Sequence, residues 1–286
     1  MPRITVGTEN DAPIEIHYED HGTGRPVVLI HGYPLNGNSW ERQERELLAS
    51  GHRVIRYDRR GFGRSSQPTV GYDYDTFAAD LKALLEHLDL RDVVLCGFSM
   101  GTGEVVRYLG SFGSARVSKA VLLGVIPPFV LKTDDNPDGV DREVFEGIKA
   151  GIASDRYAFF KGFFDNFYNI DVLGPEHISE QAVQANFIVA AGSSPHASYA
   201  VVDTWLTDFR ADLATIDVPT LVMHGTADRI LPFPVTAARL GALIADVTVI
   251  PVEGGPHNIG WTHHGEVNSA LLRFLAGATA APPAAT

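Results

Sequence analysis

Cysteine is nearly missing from this sequence, Cys96 being the only one in 286 residues. A single thiol cannot close an intramolecular disulfide or build a cysteine-based zinc site. Positive charge is scarce as well: 23 lysines and arginines face 35 aspartates and glutamates, a formal net charge of −12. A surface of that sign repels phosphate backbones, and no basic cluster offsets it, so a nucleic-acid partner is not expected. No apolar run approaches the roughly 20 residues of a bilayer-spanning helix, so no membrane partner is expected either. Residues 1–11 are polar, unlike a secretory signal. These absences make a soluble, cytoplasmic protein the expectation. Hydrophobic residues form 45% of the chain, enough for a large core, and length alone allows one large domain or two small ones.

The apolar residues come in short bursts. Residues 4–6 and 14–20, separated by turn-prone Asn10, Asp11 and Pro13, read as an antiparallel hairpin. Val27-Val28-Leu29-Ile30 is a continuous apolar run between Gly24 and Gly32. Such a run fits a strand buried on both faces, as strands of parallel sheets are. The pattern repeats at 53–58, 93–97, 117–123, 220–224 and 248–252. Helical stretches are expected at 76–88, where Phe77, Leu81, Leu84, Leu85 and Leu88 share a stripe, and at 101–112, 234–244 and 266–275. Strands alternating with helices predict an α/β protein with a mainly parallel sheet.

The alternation stops between about residues 126 and 212. Aromatic residues crowd this stretch without a convincing strand, which predicts a helical insertion over the C-terminal edge of the sheet. Most of these aromatics read as core of the insertion, with a few facing a cavity. The expected division is a core of 1–125 and 213–275, a helical cap of 126–212, and a tail of 276–286. That tail is rich in alanine and proline, has no means of burying itself, and is expected to be disordered.

Gly97-Phe98-Ser99-Met100-Gly101 lies between an apolar strand and a helix, the setting of the nucleophile elbow of α/β-hydrolases. Glycines two residues either side of Ser99 remove Cβ atoms where strand and helix approach. A helix N-terminus there aims free N–H groups, that of Met100 among them, at developing negative charge. A serine hydroxyl is a poor nucleophile until a base takes its proton. In this fold the acid and then the histidine follow on loops after later strands. Asp228 follows the segment 220–224 and His257 follows 248–252. Asp203 and Asp208 are distant competitors for the acid. His17, His52 and His87 lie away from these loops, and His177 and His196 lie in the insertion. His224 ends a strand with its side chain expected in the core, and His263 and His264 are expected to be solvated at a helix start. His31-Gly32-Tyr33-Pro34 occupies the second oxyanion-loop position, with the Tyr33 amide as donor and His31 as a brace. Residues 58–65 lack the lysine and Ser/Thr of a P-loop and read as a tight, ion-paired turn.

Longer strings carry a resemblance. His31-Gly32-Tyr33-Pro34, Tyr57-Asp58-Arg59-Arg60-Gly61-Phe62-Gly63, residues 71–81 and Gly97-Phe98-Ser99-Met100-Gly101-Thr102-Gly103-Glu104 are similar to the bacterial cofactor-free haloperoxidases. That group overlaps arylesterases, perhydrolases and γ-lactamases. The likeness covers nearly the whole chain, including residues 132–137 and 261–263. It implies an α/β-hydrolase fold with a mostly parallel eight-stranded sheet and a helical cap. It also implies a triad of Ser99, Asp228 and His257, oxyanion amides at Tyr33 and Met100, and no cofactor or metal. Implied substrates are a small ester, carboxylic acid or lactam, with hydrogen peroxide replacing water to give a peracid that oxidises halide. Proline at position 34 resembles the perhydrolases. From the resemblance and loop position, Tyr33, Pro34, Phe129, Phe159, Phe163, Trp205, Ile230 and Phe233 are expected to line an apolar pocket for small acyl groups. Asn258, where relatives carry a small residue, and the divergent stretch 193–199 are expected to border it. A homo-oligomer is compatible with the sequence. A γ-lactamase or amidase would use the same triad. A dehalogenase or epoxide hydrolase needs a carboxylate at position 99, and a non-catalytic binding protein on this scaffold usually lacks a triad member.

Overall fold

The structure, a computed structural model, describes residues 2–277. β1 (Arg3–Glu9) and β2 (Ala12–His21) form the antiparallel hairpin. They are followed by β3 (Pro26–Ile30), β4 (Arg53–Tyr57), β5 (Val93–Phe98), β6 (Val117–Leu123), β7 (Thr220–Gly225) and β8 (Val247–Val252). All eight join one sheet in the order β1-β2-β4-β3-β5-β6-β7-β8. Beyond the β1–β2 and β2–β4 pairs, every pairing is parallel. Burial explains the sequence pattern. Every residue of β5 and β7 is buried, whereas at the edge strand β8 only Ile250 and Val252 are. The chain runs from β3 outward to β4 and then back to β5 on the other side of β3. Such a reversal opens a crevice at the carboxyl ends of the strands.

α1 (Glu41–Ala49), α2 (Tyr74–His87) and α3 (Met100–Phe112) connect the first strands. α2 starts ahead of the expected 76 because Asp73 caps it, accepting from the Thr76 amide at 2.7 Å. Between β6 and β7 run α4 (Arg142–Phe167), α5 (Ile170–Leu173), α6 (Glu180–Ala191), α7 (Pro195–Ala200) and α8 (Arg210–Leu213). Isolated bridges pair Leu131 with Val140 and Thr133 with Asn136, but no strand from this stretch joins the sheet. Inside α4, Asp155 leaves the helical region (φ −154°, ψ 96°). Its carboxylate accepts the amides of Tyr157 and Ala158 at 3.0 Å, so it restarts the helix as a cap would. Phe160, Phe164 and Phe167 of the restarted half are fully buried, as expected for core of the insertion.

The expected helix at 234–244 is absent. Two short 3₁₀ turns, Phe233–Val235 and Ala237–Ala242, stand there, broken at Thr236 (φ −121°, ψ −100°). The Thr236 hydroxyl donates to the Pro232 carbonyl at 2.9 Å, an alternative to helical bonding that the apolar spacing does not reveal. α9 (Ile259–Thr262) and α10 (His264–Leu275) complete the chain of elements. No helix of the described residues is long and apolar enough to cross a membrane. Of the tail expected to be disordered, residues 278–286 lie outside the described residues.

Candidate active site

Ser99 sits where β5 turns into α3, at φ 52° and ψ −119°, a left-handed backbone that costs a non-glycine residue strain. Close packing holds it there. A Cβ on Gly101 would lie 2.2 Å from the Ile30 carbonyl oxygen, and one on Gly97 would lie 2.5 Å from that of Gly101. A Cβ on Gly32 would meet Ser99 Cβ at 2.8 Å. The loop after β3 therefore lies directly against Ser99, and glycine is what lets it approach.

The loops after β7 and β8 bring the other two groups in. His257 Nε2 is 2.8 Å from Ser99 Oγ, and His257 Nδ1 is 2.7 Å from Asp228 Oδ2. The second carboxylate oxygen, Oδ1, accepts the amides of Ile230 and Leu231, both at 2.8 Å. All three residues are buried. Burial alone would raise the proton affinity of Asp228. The His257 and His224 imidazoles outweigh it and hold the carboxyl well below the usual carboxylate range. An ionised acid oriented on the far nitrogen of an imidazole, with a hydroxyl on the near one, is equipped for proton relay.

Two backbone amides lie beside Ser99, that of Met100 next in the chain and that of Tyr33 next to Gly32, which packs on Ser99. Met100 opens α3 and has no carbonyl one turn back to receive its N–H. The Tyr33 amide donates to no group among the described residues. His31 braces this loop as expected: it accepts the Arg59 amide at 3.0 Å, and its Nδ1 lies 2.9 Å from the Gly32 carbonyl. Burial first, and the Arg59 charge second, push its pKa well below the ordinary histidine value. The turn at 58–65 is ion-paired and tightly bonded. Asp58 accepts the amides of Gly37 and Arg64, Arg60 clasps Asp80 with two bonds of 2.7 Å, and Arg59 meets Glu104 at 2.8 Å.

Ser99 opens into a cavity of about 470 Å³. Of the expected wall, Tyr33, Phe159, Phe163, Trp205 and Ile230 are on it. Pro34, Phe129 and Phe233 are not. Phe129 is buried beneath the Arg210 guanidinium, 5.1 Å from its ring centroid. Phe233 turns edge-on to His224, and Pro34 is buried in the loop. Ile126, Val130, Phe145, Ile148 and Leu231 take their places, with Asn166 and Arg229 as polar members. Asn258 does not reach the cavity either; its Oδ1 caps α9 by accepting the Trp261 amide at 3.1 Å. No residue of the stretch 193–199 lines this cavity; Ser193, Ser194 and Ser198 bond among themselves and to backbone, and the Ser198 carbonyl accepts the Tyr33 hydroxyl at 3.2 Å. His263 and His264 are not simply solvated. His263 stacks on His177, and His264 lies against Arg42. The residue that sequence reasoning passed over is His224, whose Nε2 lies 3.0 Å from Asp228 Oδ2. Its signal was the four-residue spacing to Asp228 across the strand end.

Known proteins share this arrangement of elements. Residues 25–264 match the family described as the alpha/beta hydrolase fold. A Synechocystis sp. protein provisionally named a non-heme chloroperoxidase is 60% identical over 275 residues, covering 96% of this chain and 100% of that one. A bifunctional esterase/perhydrolase of Acinetobacter calcoaceticus is 34% identical, covering 92% of this chain and 96% of its own. The crystal structure of a bromoperoxidase from Bacillus anthracis superposes with a TM-score of 0.91 at 45% identity, covering 96% of this chain and 99% of that one. By a family match across most of its length and a relative aligned over almost all of it, this chain belongs to the α/β-hydrolase family of enzymes.

Proposed function

We propose that the protein is a serine hydrolase of small carboxylic esters that works through an acyl-enzyme. The observation carrying this is the unbroken chain from Ser99 Oγ through His257 to Asp228, at 2.8 and 2.7 Å, beside an apolar cavity. Ser99 Oγ attacks the ester carbonyl carbon while its proton passes to His257 Nε2. The carbonyl oxygen becomes an oxyanion held by the Tyr33 and Met100 amides. Collapse expels the alcohol, which leaves with the proton from His257, and Ser99 retains the acyl group. Water attacks this ester in turn, gives its proton to His257, and the acid departs from Ser99. Asp228 keeps the imidazole in the tautomer this needs.

Hydrogen peroxide can replace water as the second nucleophile, which converts the acyl group to a peracid. The esterase/perhydrolase, chloroperoxidase and bromoperoxidase names of the relatives favour this second reading. The test pairs Ser99→Ala with a serine-directed phosphonate. Wild type is expected to take up one phosphonate at Ser99, hydrolyse short aryl esters and form peracetic acid from acetate and peroxide. Ser99→Ala is expected to lose all three while remaining folded. Labelling of another serine at undiminished stoichiometry overturns the assignment.

A further inference from the structure

His224 is the next-to-last residue of β7 and is fully buried, yet it neither lines the cavity nor touches Ser99. Its Nδ1 accepts the Val125 amide at 3.0 Å. That bond leaves the imidazole neutral, with its one proton on Nε2. The Nε2–H donates to the Leu231 carbonyl at 2.8 Å, and the same nitrogen lies 3.0 Å from Asp228 Oδ2, close enough for its dipole to act on that oxygen. Asp228 thus accepts two amides on Oδ1 and the His257 imidazole on Oδ2, and the His224 Nε2 lies against the same Oδ2 as a second imidazole contact. The neighbouring charge of Arg229 turns outward to Asp171 at 2.7 Å. Among the described residues the titratable groups in contact with this carboxylate are therefore the two histidines.

We infer that His224 is a positioning residue for the proposed reaction, fixing the plane of the Asp228 carboxylate and setting how strongly Oδ2 draws the His257 proton. This rests on the triad reading above. Two imidazole N–H dipoles beside one oxygen share its charge, so each interaction is weaker than it would be alone. Removing the His224 donor lets Oδ2 grip His257 harder, which makes His257 more basic, while the carboxylate loses one of the contacts that hold its plane. The Val125 amide is the first after the Gly124 turn that follows β6, so the backbone itself locks the tautomer. A proton shift within His224 cannot mimic its loss.

Two substitutions separate this role from packing. His224→Asn keeps an acceptor for the Val125 amide and loses the donor to Asp228. His224→Gln keeps a donor near the Nε2 position and loses that acceptor. With p-nitrophenyl acetate, His224→Asn is expected to lower kcat about tenfold at unchanged KM. It is also expected to move the acidic limb of the pH profile of kcat/KM upward by about half a unit. His224→Gln is expected to restore the limb. An unmoved limb in His224→Asn, or equal profiles in the two variants, overturns the inference. A measurement on the wild type needs no variant to fold. The His224 Nε2–H resonance of the isotopically labelled enzyme is expected to titrate together with His257, because both donors compete for Oδ2. A resonance indifferent to that titration overturns the inference. Ser99→Ala, run in the same assay, separates the two claims: if it keeps wild-type turnover, the triad reading itself fails.

Discussion

Replacing one oxygen of Asp228 by an amino group, Asp228→Asn, strikes the proposed triad where its geometry is most constrained. The carboxylate accepts three hydrogen bonds, faces the His224 Nε2 as well and donates none, whereas asparagine offers one acceptor oxygen and an NH₂ donor. With its oxygen kept toward the Ile230 and Leu231 amides, both 2.8 Å bonds survive. The NH₂ then faces His257 Nδ1 across 2.7 Å and His224 Nε2 across 3.0 Å. His224 cannot yield, because its other nitrogen is occupied by Val125. His257 yields only by moving its proton to Nε2, the nitrogen 2.8 Å from Ser99 Oγ that must accept the serine proton. The flipped amide is worse, since two backbone N–H groups cannot change protonation at all. The expected loss in kcat is about 10⁴-fold, as for the same exchange in a serine protease triad, or roughly 5.5 kcal/mol at 1.36 kcal/mol per decade. Initial rates on p-nitrophenyl acetate, normalised by phosphonate titration of Ser99, measure it. A loss under tenfold would refute the role given to Asp228. Stability carries a second signature. The folded carboxyl binds its proton more weakly than the ordinary 3.8 of the unfolded chain, so it contributes stability above that value and loses it as pH falls further. Asparagine does not titrate. The gap in urea stability between wild type and Asp228→Asn is therefore expected to shrink below about pH 3.8.

Phe163 lines the cavity and Phe129 does not. Phe163→Ala is expected to shift the preferred acyl chain to longer esters, while Phe129→Ala leaves the chain-length profile alone and costs about 3 kcal/mol of stability. A panel of p-nitrophenyl esters and a urea melt read both. Glu104→Gln leaves Arg59 buried without its counter-charge, at a cost of about 3 kcal/mol, visible as a lowered urea midpoint. Pro34 limits its own φ and the conformation of Tyr33, the proposed oxyanion donor. Pro34→Leu is expected to lower the ratio of perhydrolysis to hydrolysis, and an unchanged ratio would make the proline merely structural.

How much was legible depended on how locally each feature is encoded. The central strands could be read because β3, β5 and β7 are buried on both faces, which leaves continuous apolar runs in the sequence. The turn around Ser99 was legible for a steric reason: Gly97 and Gly101 have no room for a Cβ, so the motif is written in the residue types themselves. The segment 234–244 has helical spacing but a local hydroxyl bond at Thr236 that breaks it. The cavity wall was only partly legible. Which aromatic of the insertion faces Ser99 depends on how its helices pack on the sheet, and Phe129 and Phe163 look alike in sequence. His224 is expected in the core and lies there, but burial alone does not say that an imidazole near a strand end reaches the acid four residues on.

The two sides of the Ser99–His257 contact are 158 residues apart, and the histidine hangs from the loop after β8, the last strand in the chain and an edge of the sheet. On a ribosome the proposed nucleophile would emerge long before its base. Under the proposed triad, Ser99 stays an ordinary alcohol until β8 pairs with β7 and brings His257 to it. On the proposed mechanism, the reactivity of Ser99 therefore waits for completion of the sheet's far edge.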